Sequence, residues 1–300
     1  MDSPVCQKGV DGLGNHLAFA DLRAGRTYYW RVKVKTATGQ WTAFSEPTSF
    51  IVTAGESSFS LFRDGYKNYE GARDVDIRGN GKDHSTAIRE WNQGNQDVLR
   101  TGRRGTDMPT DEVYRSLLRF NISILKDAGA VLSAYLILTG WEHDQKDPCI
   151  DIQAVNELYA IRKPWGEGDG LIKKTLDKGD ASWTYSQYPK RWKSPGLSKG
   201  EDYGRDSLGK LKVISHVGAK AVFFSSGFIS LVKQWIRTPH TNYGVLMIAD
   251  DESRRETMNI ASREHPEPSF RPALVLISRE DSPYATDRAA CHPHPWQCRR

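Results

Sequence analysis

The segment AVLSAYLIL, residues 130–138, decides the fold class. It is short, rich in Leu, Ile, Val and Tyr, and followed by a turn signal at Thr139-Gly140, so it is predicted to be a strand. Two similar runs are VLMIA at 245–249, which ends at Asp250-Asp251, and ALVLIS at 273–278. Such runs, separated by turns rich in Gly, Asp, Asn and Pro, predict an all-β protein.

One segment has helical spacing instead. Ser225 or Ser226 can cap its N-terminus, and Pro239 lies beyond its end. Its apolar residues fall at i, i+3, i+4 and i+7: Phe228, Leu231, Val232 and Trp235. Many strands with one short helix predict a jelly-roll-like β-sandwich over residues 57–280.

The N-terminal residues 1–54 form a separate segment. Large apolar side chains at Tyr28, Trp30, Val32 and Val34 alternate with other residues, which predicts a strand, and Thr38-Gly39-Gln40 supplies a turn. The segment then ends in a linker near Ala54.

Composition limits the class of protein. With 38% hydrophobic residues, 26% charged residues and a net charge of +5, the 300-residue chain suits a soluble protein of two ordinary domains. It has no apolar run of about 18 residues, so no membrane span is expected. The basic residues are scattered, so nucleic acid is not expected as a partner.

The tail at 281–300 is rich in Cys, His and Pro, and Cys291 and Cys298 are candidates for a disulfide. Four cysteines allow three pairings, and sequence does not choose among them. A zinc site and a disordered tail are the alternatives. The remaining two cysteines are Cys6 and Cys149. In the zinc alternative, the ligands would be Cys291, His292, His294 and Cys298.

The stretch LRAGRTYYWRVKV at 22–34, with Trp41 and FSEP at 44–47, resembles the C-terminal half of a fibronectin type III domain. A remnant with so few strands cannot bury both faces. It is therefore expected to pack against the main sandwich or to pair with a neighbouring chain through its open sheet edge.

The order of motifs between Phe62 and Ser278 resembles the DNRLRE domain, also classed as carbohydrate-binding module family 96. The matching segments are FRDGY at 62–66, YEGARDVD at 69–76, LLRFNIS at 117–123, AVLSAYLIL at 130–138, WGEG at 165–168, ASWTY at 181–185, WKSPG at 192–196, LVKQW at 231–235, NYG at 242–244, SRE at 262–264 and RPALVLI at 271–277. The resemblance implies a sandwich that binds polysaccharide, including acidic polysaccharide, outside the cell.

An aromatic and basic stretch is the predicted contact surface. Aromatic rings stack on the apolar face of a sugar, and Arg suits a uronate carboxylate. The alternative is that the rings, Trp183 above all, are core residues that brace a long loop. The candidate residues are Trp165, Tyr185, Tyr188, Arg191, Trp192 and Lys193.

Asp74 and Asp76 are the candidate metal ligands, because Asp-x-Asp on a strand places both carboxylates on one face. A structural calcium is the expected cofactor, although calcium needs six to eight oxygen ligands. Arg119, Arg263 and Arg271 match arginines of the family and are expected to form ion pairs, with Glu264 or Asp76 as partners.

These observations predict a non-catalytic module that binds polysaccharide, secreted or at the cell surface, with its signal peptide upstream of Met1. Neither Gly-x-Ser-x-Gly, His-Glu-x-x-His nor a P-loop occurs, which agrees with a protein that is not an enzyme. The alternatives are a structural or adhesive subunit of a surface assembly, and a polysaccharide lyase or hydrolase whose carboxylates meet only in space.

Overall fold

The computed structural model describes residues 27–31, 33, 38–45, 48–51, 57–80, 90–104, 112–141, 155–171, 174–212, 217–254 and 257–279. The chain divides into two compact units, Met1–Ser57 and Ser58–Arg300. All four cysteines, and with them the predicted Cys291–Cys298 disulfide, lie outside the described residues. No helix in the described ranges is long and apolar enough to cross a membrane.

The N-terminal unit contains an antiparallel pair, β1 (Thr27–Trp30) and β2 (Thr48–Ile51), in which Thr27 faces Ile51. Tyr28 is half-buried and Tyr29 is 75% exposed, which is the alternation that the sequence predicts. Gly39 adopts a φ of +84°, a left-handed conformation that glycine tolerates in the predicted turn.

The described part of the larger unit is built mainly of strands. They are β3 (Ser57–Phe62), β4 (Ala72–Asn80), β5 (Trp91–Asn92), β6 (Val98–Arg104), β7 (Glu112–Phe120), β8 (Val131–Thr139), β9 (Val155–Ala160), β10 (Lys174–Thr175), β11 (Tyr185–Gln187), β12 (Lys190–Arg191), β13 (Gly209–Lys212), β14 (Lys220–Phe223), β15 (Val245–Ala249), β16 (Thr257–Ala261) and β17 (Ala273–Arg279). The three strands quoted first from the sequence are β8, β15 and β17.

The strands form two main sheets. A seven-stranded sheet has the order β13-β9-β15-β7-β6-β16, with β4 paired along the whole length of β7, and a four-stranded sheet has the order β14-β8-β17-β3. Two short pairs, β5–β10 and β11–β12, lie outside these sheets. The prediction of an all-β sandwich is confirmed.

The single helix within the described residues, α1, spans Ser226–Arg237. Ser225 caps it as predicted, because its hydroxyl oxygen accepts a hydrogen bond from the Phe228 amide at 3.0 Å. A 3₁₀ turn at Pro239–Thr241 follows. The apolar face of α1 packs into the first of two hydrophobic cores.

The first core contains side chains from both sheets and from α1. Examples are Leu118 on β7, Leu136 on β8, Leu274 on β17 and Trp235 on α1. This core fills one face of the seven-stranded sheet, as a sandwich requires.

A second core covers the opposite face of the seven-stranded sheet. Leu117 belongs to it, whereas its neighbour Leu118 belongs to the first core, since successive residues of a strand point to opposite faces. The cover is a long segment between β9 and β13, which contributes Trp165, Trp192 and Tyr203. Burial on both faces explains why β15 is an unbroken apolar run rather than an alternating one.

Candidate functional site

The segment over the second core contains a hairpin made of β11 and β12. Tyr185 faces Arg191 and Gln187 faces Lys190, with a register shift between the two pairs. The backbone of Tyr188 fixes the tip: its amide donates to Asp180 O at 2.8 Å, and its carbonyl accepts from Gly179 N at 2.9 Å. Hydrogen bonds to the preceding loop at Gly179 and Asp180 therefore fix the tip, in addition to the pairing within the hairpin.

The hairpin presents one tyrosine and several cations to solvent. Tyr188 is 38% exposed, and Lys190, Arg191 and Lys193 are exposed. Arg191 lies with its guanidinium 5.1 Å from the Tyr185 ring centroid, and its Nη2 donates to the Tyr185 hydroxyl at 3.3 Å. The rings of Tyr185 and Tyr188 meet edge to face at 5.0 Å.

The prediction that Trp165 and Trp192 offer free rings for sugar stacking is wrong. Their side chains are only 2% and 3% exposed, and each indole N–H is used, by Tyr243 O at 2.7 Å and by Ser182 O at 2.9 Å. The physical reason is the second core, because the exposed face of the seven-stranded sheet needs large apolar side chains to cover it. Tyr185 is also buried, at 8% exposed, and its ring and hydroxyl contact the Arg191 side chain.

Lys193 keeps its side chain in solvent while its backbone is anchored. Its amide donates to both carboxylate oxygens of Asp202, at 3.1 and 2.8 Å. Asp202 is fully buried and also accepts from the Ser198 amide and from Lys163 Nζ. This carboxylate ties three parts of the loop together, and nothing in the local sequence marks it for that role.

A second candidate site is an acidic cluster on the first-core side of β4. One carboxylate oxygen each from Asp74, Glu167 and Glu264 lies within 4.8 Å of the others. Arg263 lies among them, with Nε at 2.5 Å and Nη2 at 2.9 Å from the two oxygens of Glu167, and with Nη1 at 3.1 Å from Asp64. Arg263 also reaches Glu264 at 2.9 Å, so its predicted ion pair is confirmed.

The two predicted metal ligands have different hydrogen-bond partners. Asp74 belongs to the cluster and accepts the Arg263 amide at 2.8 Å. Asp76 instead accepts the Arg100 amide at 3.2 Å and pairs with the Arg100 side chain at 3.5 Å. The two carboxylates therefore accept backbone amides from different segments, and a joint metal site of Asp74 and Asp76 stays a prediction.

Burial sets the electrostatics of the cluster. It raises the pKa of Asp74 well above its usual range, with the charges of Glu264 and Glu167 adding to the effect, and it also raises the pKa of Glu167. Burial raises the pKa of Glu264 to about 7 despite Arg263 beside it. These shifts favour the protonated, neutral form of each carboxyl group, whereas Arg263 and Arg73, the latter 3.4 Å from Glu167, favour the charged form.

The cluster supplies three carboxylates toward the six to eight oxygens that calcium needs, and Arg263 occupies part of the same space. Glu264 Oε2 is a buried oxygen without a hydrogen-bond partner within the described residues. That oxygen is the feature that favours a cation. Calcium at this place stays a prediction.

Within the described ranges, the other two arginines that match the family form no ion pair with an acid, contrary to expectation. Arg271 donates to backbone carbonyls, from Nε to His265 O at 2.8 Å and from Nη1 to Asp64 O at 3.3 Å. Arg119 lies 5.4 Å from the centroid of the Trp165 ring. Burial, and then the charge of Arg73, lower the pKa of Arg119. Both arginines therefore act in packing and loop anchoring.

Sequence reasoning also missed Asn92, which is fully buried. Its Oδ1 accepts from Gly94 N and Gly170 N, and its Nδ2 donates to Glu167 O and Ala181 O, at 2.7 to 3.1 Å. All four hydrogen bonds of the amide are made, which fixes the loop that carries Glu167. A lone Asn before Gln-Gly gives no sequence signal for such contacts.

Comparison with known proteins bears on the first part of the chain. Residues 9–54 match the family described as Rha78A-like, N-terminal immunoglobulin domain. The N-terminal segment is immunoglobulin-like. This supports the predicted fibronectin type III-like segment at the coarser level of an immunoglobulin- or fibronectin-like domain at the N-terminus. No curated protein matches the chain.

Proposed function

We propose that the larger unit is a non-catalytic module that binds polysaccharide outside the cell, and that the β11–β12 hairpin carries the contact. The observation on which this rests is the pair formed by an exposed Tyr188 and an exposed, pre-positioned Arg191. The ordered resemblance to the DNRLRE domain supports the same function.

The chemistry of the hairpin favours an acidic polymer. The Tyr188 ring offers an apolar surface to the C–H face of a sugar, and the Arg191 fork suits bidentate contact with a uronate carboxylate. Lys190 and Lys193 add two exposed charges on the same short stretch. Because Tyr185 already orders the Arg191 side chain, less rotamer entropy is lost on binding.

Affinity electrophoresis of the full chain in gels containing a polyuronate or a neutral glucan tests the proposal. We expect retardation by the polyuronate, weakening steeply as salt rises, since exposed charges are screened over about 8 Å at physiological ionic strength. Tyr188→Ala and Arg191→Ala should each weaken retardation about tenfold, because each removes a contact worth roughly 1–2 kcal/mol.

Two variants serve as matched controls. Phe59→Ala removes a ring that is also 38% exposed, and Arg254→Ala removes an exposed guanidinium from another loop. Retardation should be unchanged in both. Equal losses in controls and hairpin variants, or no retardation by any polymer, would overturn the proposal. Release of reducing or unsaturated sugar ends would instead favour the lyase or hydrolase alternative.

One observation favours a structural or adhesive subunit as a second candidate function. In the N-terminal unit, three aromatic side chains are exposed: Trp41 by 57%, Phe44 by 45% and Tyr29 by 75%. Arg31 lies 4.0 Å from the Phe44 ring centroid, and Lys33 lies 4.8 Å from that of Trp41. Sedimentation velocity of the full chain tests this candidate function. Self-association that the Trp41→Ser variant loses would support a second copy of the chain as the partner, and a monomer at all concentrations would reject it.

A further inference from the structure

Three rings pack together beside Lys220, in a part of the larger unit that the hairpin and the acidic cluster do not include. Trp141 meets His265 edge to face at 4.4 Å, and His265 stacks on Phe270 at 5.2 Å. Lys220 Nζ lies 5.2 Å from the Phe270 ring centroid. Trp141 follows β8, Lys220 begins β14, and the other two precede β17, so three strands of one sheet place the group.

Two buried donors in this group lack a partner. His265 is 2% exposed, and its Nδ1 faces the Glu267 backbone N–H at 3.1 Å. Nδ1 also lies 3.3 Å from the Glu267 carbonyl oxygen. The shorter contact is made by an amide N–H, which can only donate, so we assign Nδ1 as the acceptor and the ring proton to Nε2. Neither His265 Nε2 nor Trp141 Nε1 has a hydrogen-bond partner within the described residues.

Unpaired buried donors are costly, at about 1–3 kcal/mol each. Two of them on contacting rings indicate that an acceptor binds there, either a ligand atom or an ordered water. A cation beside the two donors favours an anionic ligand, because it stabilises an anion more strongly than a neutral water.

Lys220 supplies that cation at the surface. Its Nζ donates to Thr139 Oγ1 at 2.7 Å and to Ser269 O at 2.6 Å, which uses two of its three N–H bonds. Burial lowers the pKa of Lys220, and the charge of Arg63 lowers it further, while Glu267 opposes them. An anion beside Lys220 would relieve both unfavourable effects.

We propose that Trp141, Lys220, His265 and Phe270 form a binding subsite for the carboxylate of a uronic acid. Lys220 meets the charge, the two ring N–H groups meet carboxylate or hydroxyl oxygens, and Phe270 holds His265 and Lys220 in place through its ring contacts. The assignment rests on the proposed function for its ligand class, since a polyuronate is the polymer that the hairpin favours.

Indole N–H resonances of the ¹⁵N-labelled full chain test the subsite, with sodium D-glucuronate as the probe and D-glucose as its neutral match. Trp141→Phe assigns the resonance by removing it. Glucuronate should shift the Trp141 signal saturably in the wild type and equally in Arg191→Ala. Lys220→Met, which keeps the stem and removes the charge, should weaken this binding about tenfold or more.

An unmoved Trp141 signal, an equal shift with glucose, or undiminished binding in Lys220→Met would overturn the subsite and leave ordered water as the acceptor. The subsite and the hairpin can fail independently, and the two measurements distinguish these cases. If Trp141 shifts but no polymer retards the chain, the subsite survives alone. If Tyr188→Ala abolishes retardation while Trp141 never shifts, the hairpin survives alone.

Discussion

Trp192→Ala should unfold the larger unit more easily rather than remove a sugar contact. Trp192 is 3% exposed, belongs to the second core and donates its indole N–H to Ser182 O at 2.9 Å. Truncating a buried Trp costs about 3–5 kcal/mol through lost burial and the cavity left behind. For a unit of this size, that corresponds to a drop in melting temperature of roughly 10 °C.

Urea unfolding followed by far-ultraviolet circular dichroism measures this without relying on tryptophan fluorescence. Phe224→Ala is the matched control, because it truncates a ring that is 52% exposed and should cost about 1 kcal/mol or less. Tyr188→Ala should behave like that control. A midpoint for Trp192→Ala equal to that of Phe224→Ala would refute the argument, because it would mean that Trp192 covers no core.

Three other results are expected. The pKa of Glu264 is raised from 4.5 to about 7. Between these two pH values, the folded chain therefore keeps a proton on Glu264 that the unfolded chain has lost. The free energy of unfolding in EDTA should therefore fall by up to about 3 kcal/mol as pH rises through that window. Urea titrations of Glu264→Gln should show a shallower fall, because Asp74, Asp76 and Glu167, whose pKa values burial also raises, keep their own contribution. Millimolar calcium should raise the melting temperature of the wild type and not of Glu264→Gln; an equal response in both would remove the calcium prediction. Gly244→Ala should destabilise more than Gly179→Ala in urea unfolding, because both have positive φ but only the Gly244 Cβ would meet a backbone oxygen, Leu118 O at 2.1 Å.

Local signals were enough to predict the helix and three strands of the sandwich. The helix was placed by its apolar spacing and by Ser225, and both depend only on residues a few positions apart. The strands β8, β15 and β17 were placed by short apolar runs. Such features can be predicted from sequence because they do not depend on contacts with distant residues.

The site residues were harder, because their role depends on distant partners. Asp74 and Glu167 are 93 positions apart in sequence, yet the Asp74 amide donates to Glu167 Oε1 at 2.7 Å. Trp165 and Trp192 lie in a turn-rich stretch, which is typical of a binding loop. Nothing in that stretch indicates that the seven-stranded sheet has a second face to cover, and this face decides that both rings are buried.

The second core also limits how such a chain can change over generations. Replacing Trp165 or Trp192 affects folding, so selection for stability acts on them whatever the ligand is. Selection for stability acts only weakly on three residues of the hairpin, because their side chains are exposed and buried residues hold the backbone beneath them. These residues are Tyr188, Lys190 and Arg191. A duplicated copy could therefore acquire a new ligand preference through a few tip substitutions while its folding residues stay the same.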